Sequence, residues 1–249
     1  MNYWRTDIVR DLESNMFIEL IDVFGFEGAM FGMRNPLNSW YRGDSQWIVE
    51  PYGGMPHFEI GANDLDLAKR LIKGGTEHRK FLRMINVQFD LNMPRYIWSE
   101  FDTYKIGTVA NSCSTMHKLL NKDDEVKTEM HPYDELLHTQ GELTLDNFYY
   151  NEEDKDYIQY AINRINELRE AYIVASPKEK NEILRRAKQI LPEGYLQMRT
   201  VMVNYETLMN IYRQRKHHRL NKEWGMICKF IEELPYMKEF LEASGLYNN

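Results

Sequence analysis

The sequence predicts an α+β protein, and three observations carry that expectation. Residues 85–91 alternate Ile85, Val87, Phe89 and Leu91 with Asn86, Gln88 and Asp90, the period-two pattern of a strand with one buried face. Residues 16–24 form an apolar run broken only by Glu19 and Asp22, a second strand that ends at Gly25. In the second half, Ile158, Ala161, Ile162, Ile165 and Leu168 recur at the spacing of an amphipathic helix.

The remaining elements follow in order. Residues 43–61 carry Pro51, Gly53, Gly54 and Pro56 and read as a loop or short hairpin. Residues 64–73 predict a helix with Leu65, Ala68, Leu71 and Ile72 on one face, Asp64 as its cap and Gly74-Gly75 as its stop. A helix is expected over 95–105. Ser176-Pro177-Lys178-Glu179 is a helix start, with Ser as N-cap, Pro at the first position and Glu completing a capping box. That helix runs to about residue 191, before Pro192; others are expected over 202–216 and over 222–234, before Pro235. The charged stretches 121–128 and 151–156 read as surface connections. With no internal repeat or evident linker, residues 1–249 are expected to form one domain.

Composition narrows the function. Hydrophobic residues make up 43% and charged residues 28%, as in ordinary globular proteins. A formal net charge of -7 and a pI near 5.6 exclude a dedicated nucleic-acid binder, so an anionic nucleotide would need a local basic pocket. The two cysteines, Cys113 and Cys228, give neither a disulfide framework nor zinc spacing and fit a reducing compartment. Residues 2–15 are charged throughout, without the apolar core of a signal peptide, and no apolar run approaches the roughly 18–20 residues of a membrane span. A cytoplasmic location, with no membrane partner, is expected.

The most informative stretch is Thr103-Tyr-Lys-Ile-Gly-Thr-Val-Ala-Asn-Ser-Cys-Ser-Thr-Met-His117. It resembles the signature of the flavin-dependent thymidylate synthases, in which Arg-His-Arg is followed at fixed spacing by Ser, with Asn and Glu between. Lys105, Asn111 and Ser114 match, Lys105 by way of a one-residue insertion. Thr103 and Tyr104 replace Arg and His, Ser112 replaces Glu, and Met116-His117 replace the closing Arg-Tyr. The resemblance extends to Phe17-Ile-Glu-Leu-Ile-Asp-Val-Phe-Gly25, Gly74-Gly-Thr-Glu-His78, Val87-Gln-Phe-Asp-Leu-Asn-Met-Pro94 and Ile190-Leu-Pro192.

Several expectations come with the resemblance. It implies a central, mainly antiparallel sheet packed with long helices, and a homotetramer with sites shared between subunits. FAD is the implied cofactor, with NADPH and methylenetetrahydrofolate as cosubstrates and dUMP or a related nucleotide as acceptor of the one-carbon unit, giving dTMP. Glu77, His78, Asn111, Asn204 and Asn210 would meet the flavin. Lys105, Ser114, Lys188 and Arg215 would meet the nucleotide, and Lys105, Ser114 and Arg215 would carry the catalytic roles. Glu100 stands where the family has a nucleotide-contacting Gln, and Arg34, Arg95 and Arg199 are the nearby cations that could replace the missing arginines.

The residue types suit such a site: amides fit the hydrogen-bonding edge of an isoalloxazine or pyrimidine, and a guanidinium fits a phosphate. Each residue also has a plainer reading. Asn204 and Asn210 could be solvated helix residues and Arg215 a surface ion-pair partner. Cys113 is a reactive thiol or a small hydrophobe, and Glu77-His78 an ordinary polar turn. The basic run Arg213-Gln-Arg-Lys-His-His-Arg219 fits a helix C-terminus better than a nucleic-acid patch. Two rival functions remain open, the same flavin scaffold acting on a different nucleotide or base, and a non-catalytic nucleotide-binding oligomer.

Overall fold

The computed structural model describes residues 9–10, 14–49, 56–120 and 142–247, so the expected connection over 121–128 lies outside the described residues. The mainly antiparallel sheet is present. Strands β1 (Val9–Arg10), β2 (Phe17–Phe24), β5 (Asn86–Pro94), β6 (Thr108–Ser112) and β7 (Leu196–Asn204) form one sheet in the order β1-β2-β5-β7-β6, every pair antiparallel. Strands β3 (Gln46–Ile48) and β4 (His57–Glu59) pair as a separate hairpin, the second of the two readings given to that Gly- and Pro-rich segment.

Alternation sets the two faces of the sheet. Val87, Phe89 and Leu91 of β5 and Val201 and Val203 of β7 are fully buried in the main core, where Phe89 meets Phe230 at 5.0 Å. Each such side chain contributes about 1.5–3 kcal/mol by leaving water. The opposite face is polar: Asp90 of β5 lies beside Thr200 of β7, which lies beside Asn111 of β6, and the Thr200 hydroxyl donates to Asp90 Oδ1 at 2.6 Å. Helices α1 (Phe26–Gly32), α2 (Ala62–Lys73), α3 (Arg95–Phe101), α7 (Tyr205–Arg215), α8 (Asn221–Glu233) and α9 (Met237–Ala243) contribute to the main core. A second cluster joins α5 (Lys155–Val174) and α6 (Pro177–Ile190), with Ile162, Ile165 and Ala187 at its centre. The short α4 (Thr115–Lys118) follows β6. Among the described residues no helix is long and apolar enough to cross a membrane.

Three expected boundaries move, each for a local reason. The helix placed over 202–216 starts only at Tyr205, because Thr200, Val201 and Val203 are strand formers paired on both sides, and Asn204 caps the helix by accepting from Thr207 N at 2.9 Å. The helix expected over 95–105 stops at Phe101, leaving Tyr104 and Lys105 in the turn that feeds β6. The 151–156 connection is a 3-10 turn (Glu152–Asp154) running straight into α5. The capping box at Ser176 is as expected.

Asp64 does not cap α2; Asp44 does so from outside, its carboxylate accepting from Asn63 N at 2.9 Å and Asp64 N at 3.0 Å. Asp64 lies within the first turn and is buried, meeting Arg34 Nε at 2.5 Å and Ser45 Oγ at 2.6 Å. Burial opposes its charge. The Ser45 hydroxyl, the Arg34 guanidinium and the amides of Ser45 and Asp44 outweigh that and hold the carboxyl below its usual range. Breaking one side of a buried pair costs about 3–5 kcal/mol, so Asp64→Asn should lower the urea midpoint accordingly. The wild-type advantage is complete above the ordinary carboxylate value of 3.8 and disappears as pH falls through the lower folded value. Urea titrations of the two proteins should therefore converge in acid.

Candidate functional site

The site residues expected from the sequence fall into two groups at opposite ends of β6. Near its start, Asn204 ends β7 and begins α7, and its amide nitrogen lies where a Cβ on Gly107 would stand, at 1.9 Å. Gly107 has φ 70°, which also favours glycine. The capping bond settles which way the Asn204 amide faces: Oδ1 accepts from Thr207, so the NH2 points away from the helix. Asn210 is oriented in the same sense, since its Oδ1 accepts from Arg213 at 2.8 Å and Gln214 at 3.1 Å. The two amide NH2 groups sit at the start and in the middle of α7, Asn210 half-buried and Asn204 buried with its nitrogen against Gly107. A group bearing carbonyl or phosphate oxygens, such as a flavin nucleotide, fits that donor set.

Arg215 sits at the far end of the same helix and is closed off. Its Nη1 donates to Glu100 Oε2 at 2.7 Å, its Nε donates to the Tyr104 hydroxyl at 2.8 Å, and its guanidinium carbon is 4.5 Å from the centre of the Trp224 ring. Trp224 Nε1 donates to the same Glu100 oxygen at 3.0 Å, and His218 Nε2 stands 2.8 Å from Arg215 Nη1. Only 14% of the Arg215 side chain meets solvent. Glu100 is therefore the partner of Arg215. Tyr104, at the position of the family's His, is a core residue packed against Phe101 and Trp224. Lys105, next to it, is exposed.

At the other end of β6, Ser114 caps α4 by accepting from Met116 N at 3.2 Å, and Lys188 of α6 reaches to 3.2 Å from Met116 Sδ. Lys188 thus reaches the short helix that Ser114 caps. Asn111 is exposed on β6 between the two groups. A strand advances about 3.3 Å per residue, so β6 keeps the Gly107 turn beside Asn204 roughly 15 Å from the start of α4. Glu77 and His78 are exposed in the turn after α2, and the next residue, Arg79, donates to Glu206 in the first turn of α7 at 3.3 Å.

Of the spare arginines, Arg199 alone belongs to this neighbourhood. It pairs in register with Ser112, donates to Asp102 Oδ1 at 2.8 Å and lies 4.2 Å from the centre of the Trp98 ring, while its Nε is buried without a hydrogen-bond partner. Arg34 is sealed against Asp64, and Arg95 pairs with Glu193 at 3.3 Å. Strand β7, which carries Arg199, was the signal sequence reading missed, masked by the helical pattern that follows it.

Comparison of the sequence with protein-family models and with curated proteins finds no match. Comparison of the structure with solved structures does. Thymidylate synthase X (ThyX) from Helicobacter pylori, crystallised with FAD and dUMP, superposes with a TM-score of 0.60 at 17% identity, over 92% of this chain and 99% of that one. The UMP/dUMP methylase PolB from Streptomyces cacaoi, bound with 5-bromo-dUMP, gives 0.59 at 14% identity, over 95% of this chain and 98% of that one. The chain has a ThyX-like fold. Within that fold, the signature segment of this chain is the edge strand β6 with its two flanking turns; of its apolar residues Tyr104 is buried in the core, while Ile106, Val109 and Met116 are exposed.

Cys113, inside the signature, is not an activated nucleophile. Burial of the sulfur, and then the Asp90 carboxylate, push its pKa up, with Lys118 offsetting only part, although the residue as a whole meets solvent. A raised pKa means less thiolate at neutral pH. Iodoacetamide should accordingly label Cys113 more slowly in the native protein than in urea at the same pH, as followed by mass spectrometry of the labelled peptide.

Proposed function

We propose that the chain is an FAD-dependent enzyme that transfers a one-carbon unit reductively to a pyrimidine nucleotide, dUMP giving dTMP, with methylenetetrahydrofolate and NADPH as cosubstrates. The observation that carries this reading is the ThyX-like fold, with the amides of Asn204 and Asn210 at the start and in the middle of α7. A flavin supplies both one-carbon carriage and hydride delivery, chemistry that side chains lack. Asn204 and Asn210 would bind its oxygens, with Asn111, Glu77 and His78 as further contacts. Ser114 and Lys188 at one end of β6, and Lys105 with Arg215 at the other, would hold the nucleotide.

The separation of those ends supports a shared site. A mononucleotide engaged by both would be met by the Ser114 end of one chain and the Arg215 end of another, which is the reason to propose a homotetramer. Within such a site the chain's own residues would bind and orient the nucleotide. Lys188 and Lys105 would act as point charges near its phosphate, and Ser114 would offer a hydroxyl.

A second reading, a different acceptor nucleotide or base on the same scaffold, is favoured by the Glu100–Arg215 pair. An arginine already neutralised by a carboxylate gives less to an incoming phosphate than a free one. Glu100→Gln keeps a hydrogen-bond acceptor beside Arg215 and removes the competing charge. If an anionic nucleotide uses Arg215, that variant should bind dUMP about tenfold more tightly than wild type by calorimetry. Unchanged dUMP affinity, with tighter binding of UMP, dCMP or a purine nucleotide, selects the second reading.

The flavin reading has its own test. Asn204→Asp keeps the helix-capping acceptor but loses the NH2 donor. FAD fluorescence quenching should saturate with wild type at micromolar concentration and weaken about tenfold in the variant, while the urea midpoint stays near wild type. Wild-type protein that fails to quench FAD at tens of micromolar would remove the flavoenzyme proposal.

A further inference from the structure

A groove remote from β6 runs between α1 and the β3–β4 hairpin. Two adjoining cavities of about 360 and 240 Å³ share Glu27, Trp47 and Phe58 and form its length. Its aromatic walls are fixed rather than floppy. Phe31 stacks on Trp40 with centroids 5.8 Å apart and planes 15° apart, and Trp40 Nε1 donates to Asn35 Oδ1 at 2.8 Å. Across the groove Trp47 meets Phe58 edge-on at 5.7 Å. Even so, Phe31, Trp40 and Trp47 keep 60%, 42% and 53% of their surface in solvent. Large apolar rings held open in this way mark a binding surface more often than chance exposure does.

The backing of the groove explains how the rings stay in place. Arg34 and Asp64 form the buried ion pair described above, Arg34 Nη1 donates to Ser39 O at 3.3 Å, and Ser45 bonds the same Asp64 carboxylate. That knot anchors both ends of the segment that carries Trp40 and leads into Trp47.

Charge selects the ligand. Glu27 lines both cavities and Asp22 lines the larger one, and neither makes an ion pair with a described residue. Among the described lining residues Arg34 is the only arginine or lysine, and it is already neutralised by Asp64; His57 is the other basic side chain there. A phosphate or carboxylate ligand would meet uncompensated negative charge. Aromatic faces around a carboxylate instead attract a weakly hydrated cation, the ring quadrupoles and the anion acting together.

We propose that this groove is a binding site for an alkylated ammonium group, its nitrogen held between the Trp40 and Trp47 sides and neutralised by Glu27. The site does not depend on the flavin and nucleotide reading, because none of its residues belongs to the β6 region.

Choline and its neutral carbon isostere, 3,3-dimethylbutan-1-ol, separate charge from shape. Choline should bind wild type saturably by calorimetry and alter tryptophan fluorescence, and the isostere should bind about tenfold more weakly. Glu27→Gln should weaken choline about tenfold and leave the isostere unchanged, and Trp47→Leu should weaken both, with near-UV circular dichroism and urea midpoints confirming folded variants. A trimethyllysine peptide distinguishes the source. Tighter binding of the peptide than of choline assigns the site to a protein side chain, and the reverse assigns it to a free small cation; either order supports the ammonium site. No choline binding at tens of millimolar overturns the proposal, as does equal affinity for the isostere. It is overturned too if dUMP or FAD binds wild type with a fluorescence change that Trp47→Leu abolishes.

Discussion

One amide governs the geometry around β6. Asn204 closes the interior strand β7, supplies the first turn of α7 with its missing acceptor, and rests its nitrogen against Gly107, whose left-handed backbone favours glycine. Strand, helix and the turn into β6 therefore meet at a single side chain. The direction of α7 and the register of β6 follow from it, since Asn204 N also donates to Gly107 O at 3.3 Å. A larger residue at Gly107, or an aliphatic one at Asn204, would disturb all three elements together.

Legibility in the sequence followed the strength of local periodicity. Strand β5 was readable because its face alternates cleanly, and α6 because Ser176, Pro177 and Glu179 announce its start. Strand β7 was not. Its Gln197, Arg199 and Thr200 are half-buried on a sheet whose second face is polar, so no apolar alternation distinguishes it from the helix that follows. The role of Asp64 was hidden for a different reason. Its partners Arg34 and Ser45 come from loops distant in sequence, and only the folded chain shows that a helix-start aspartate is a buried counter-ion. Asn204 was expected inside the helix over 202–216, but it is the cap residue, only half in its helix, and its side chain is committed to the end of the turn.

The arginines of this chain have largely found carboxylate partners of their own. Arg34 is held by Asp64, Arg199 by Asp102, Arg215 by Glu100 and Arg95 by Glu193. Neutralised guanidiniums order the fold around them, since each bond fixes two elements to one another. The burden of attracting an anion then shifts to lysines such as Lys105 and Lys188, which act as point charges without a bidentate fork. In an acidic chain this trades strength of electrostatic attraction for rigidity of the scaffold.

The edge position of β6 has a consequence for how the chain comes into being. Among the described residues its sole neighbour in the sheet is β7, paired from Thr108 opposite Val203 to Ser112 opposite Arg199. During synthesis the segment leaves the ribosome long before its partner exists. At typical elongation rates the wait is on the order of ten seconds. For that interval the backbone of β6 has no sheet neighbour, and its valine and alanine face water or whatever else is near. β5 waits in the same way for one of its two neighbours, although β2 precedes it and can pair at once. The sheet therefore begins as β1, β2 and β5 and gains its β6 region only when the last strand arrives, so a chain truncated before residue 196 would keep those three strands and leave the segment with Asn111 and Ser112 unpaired.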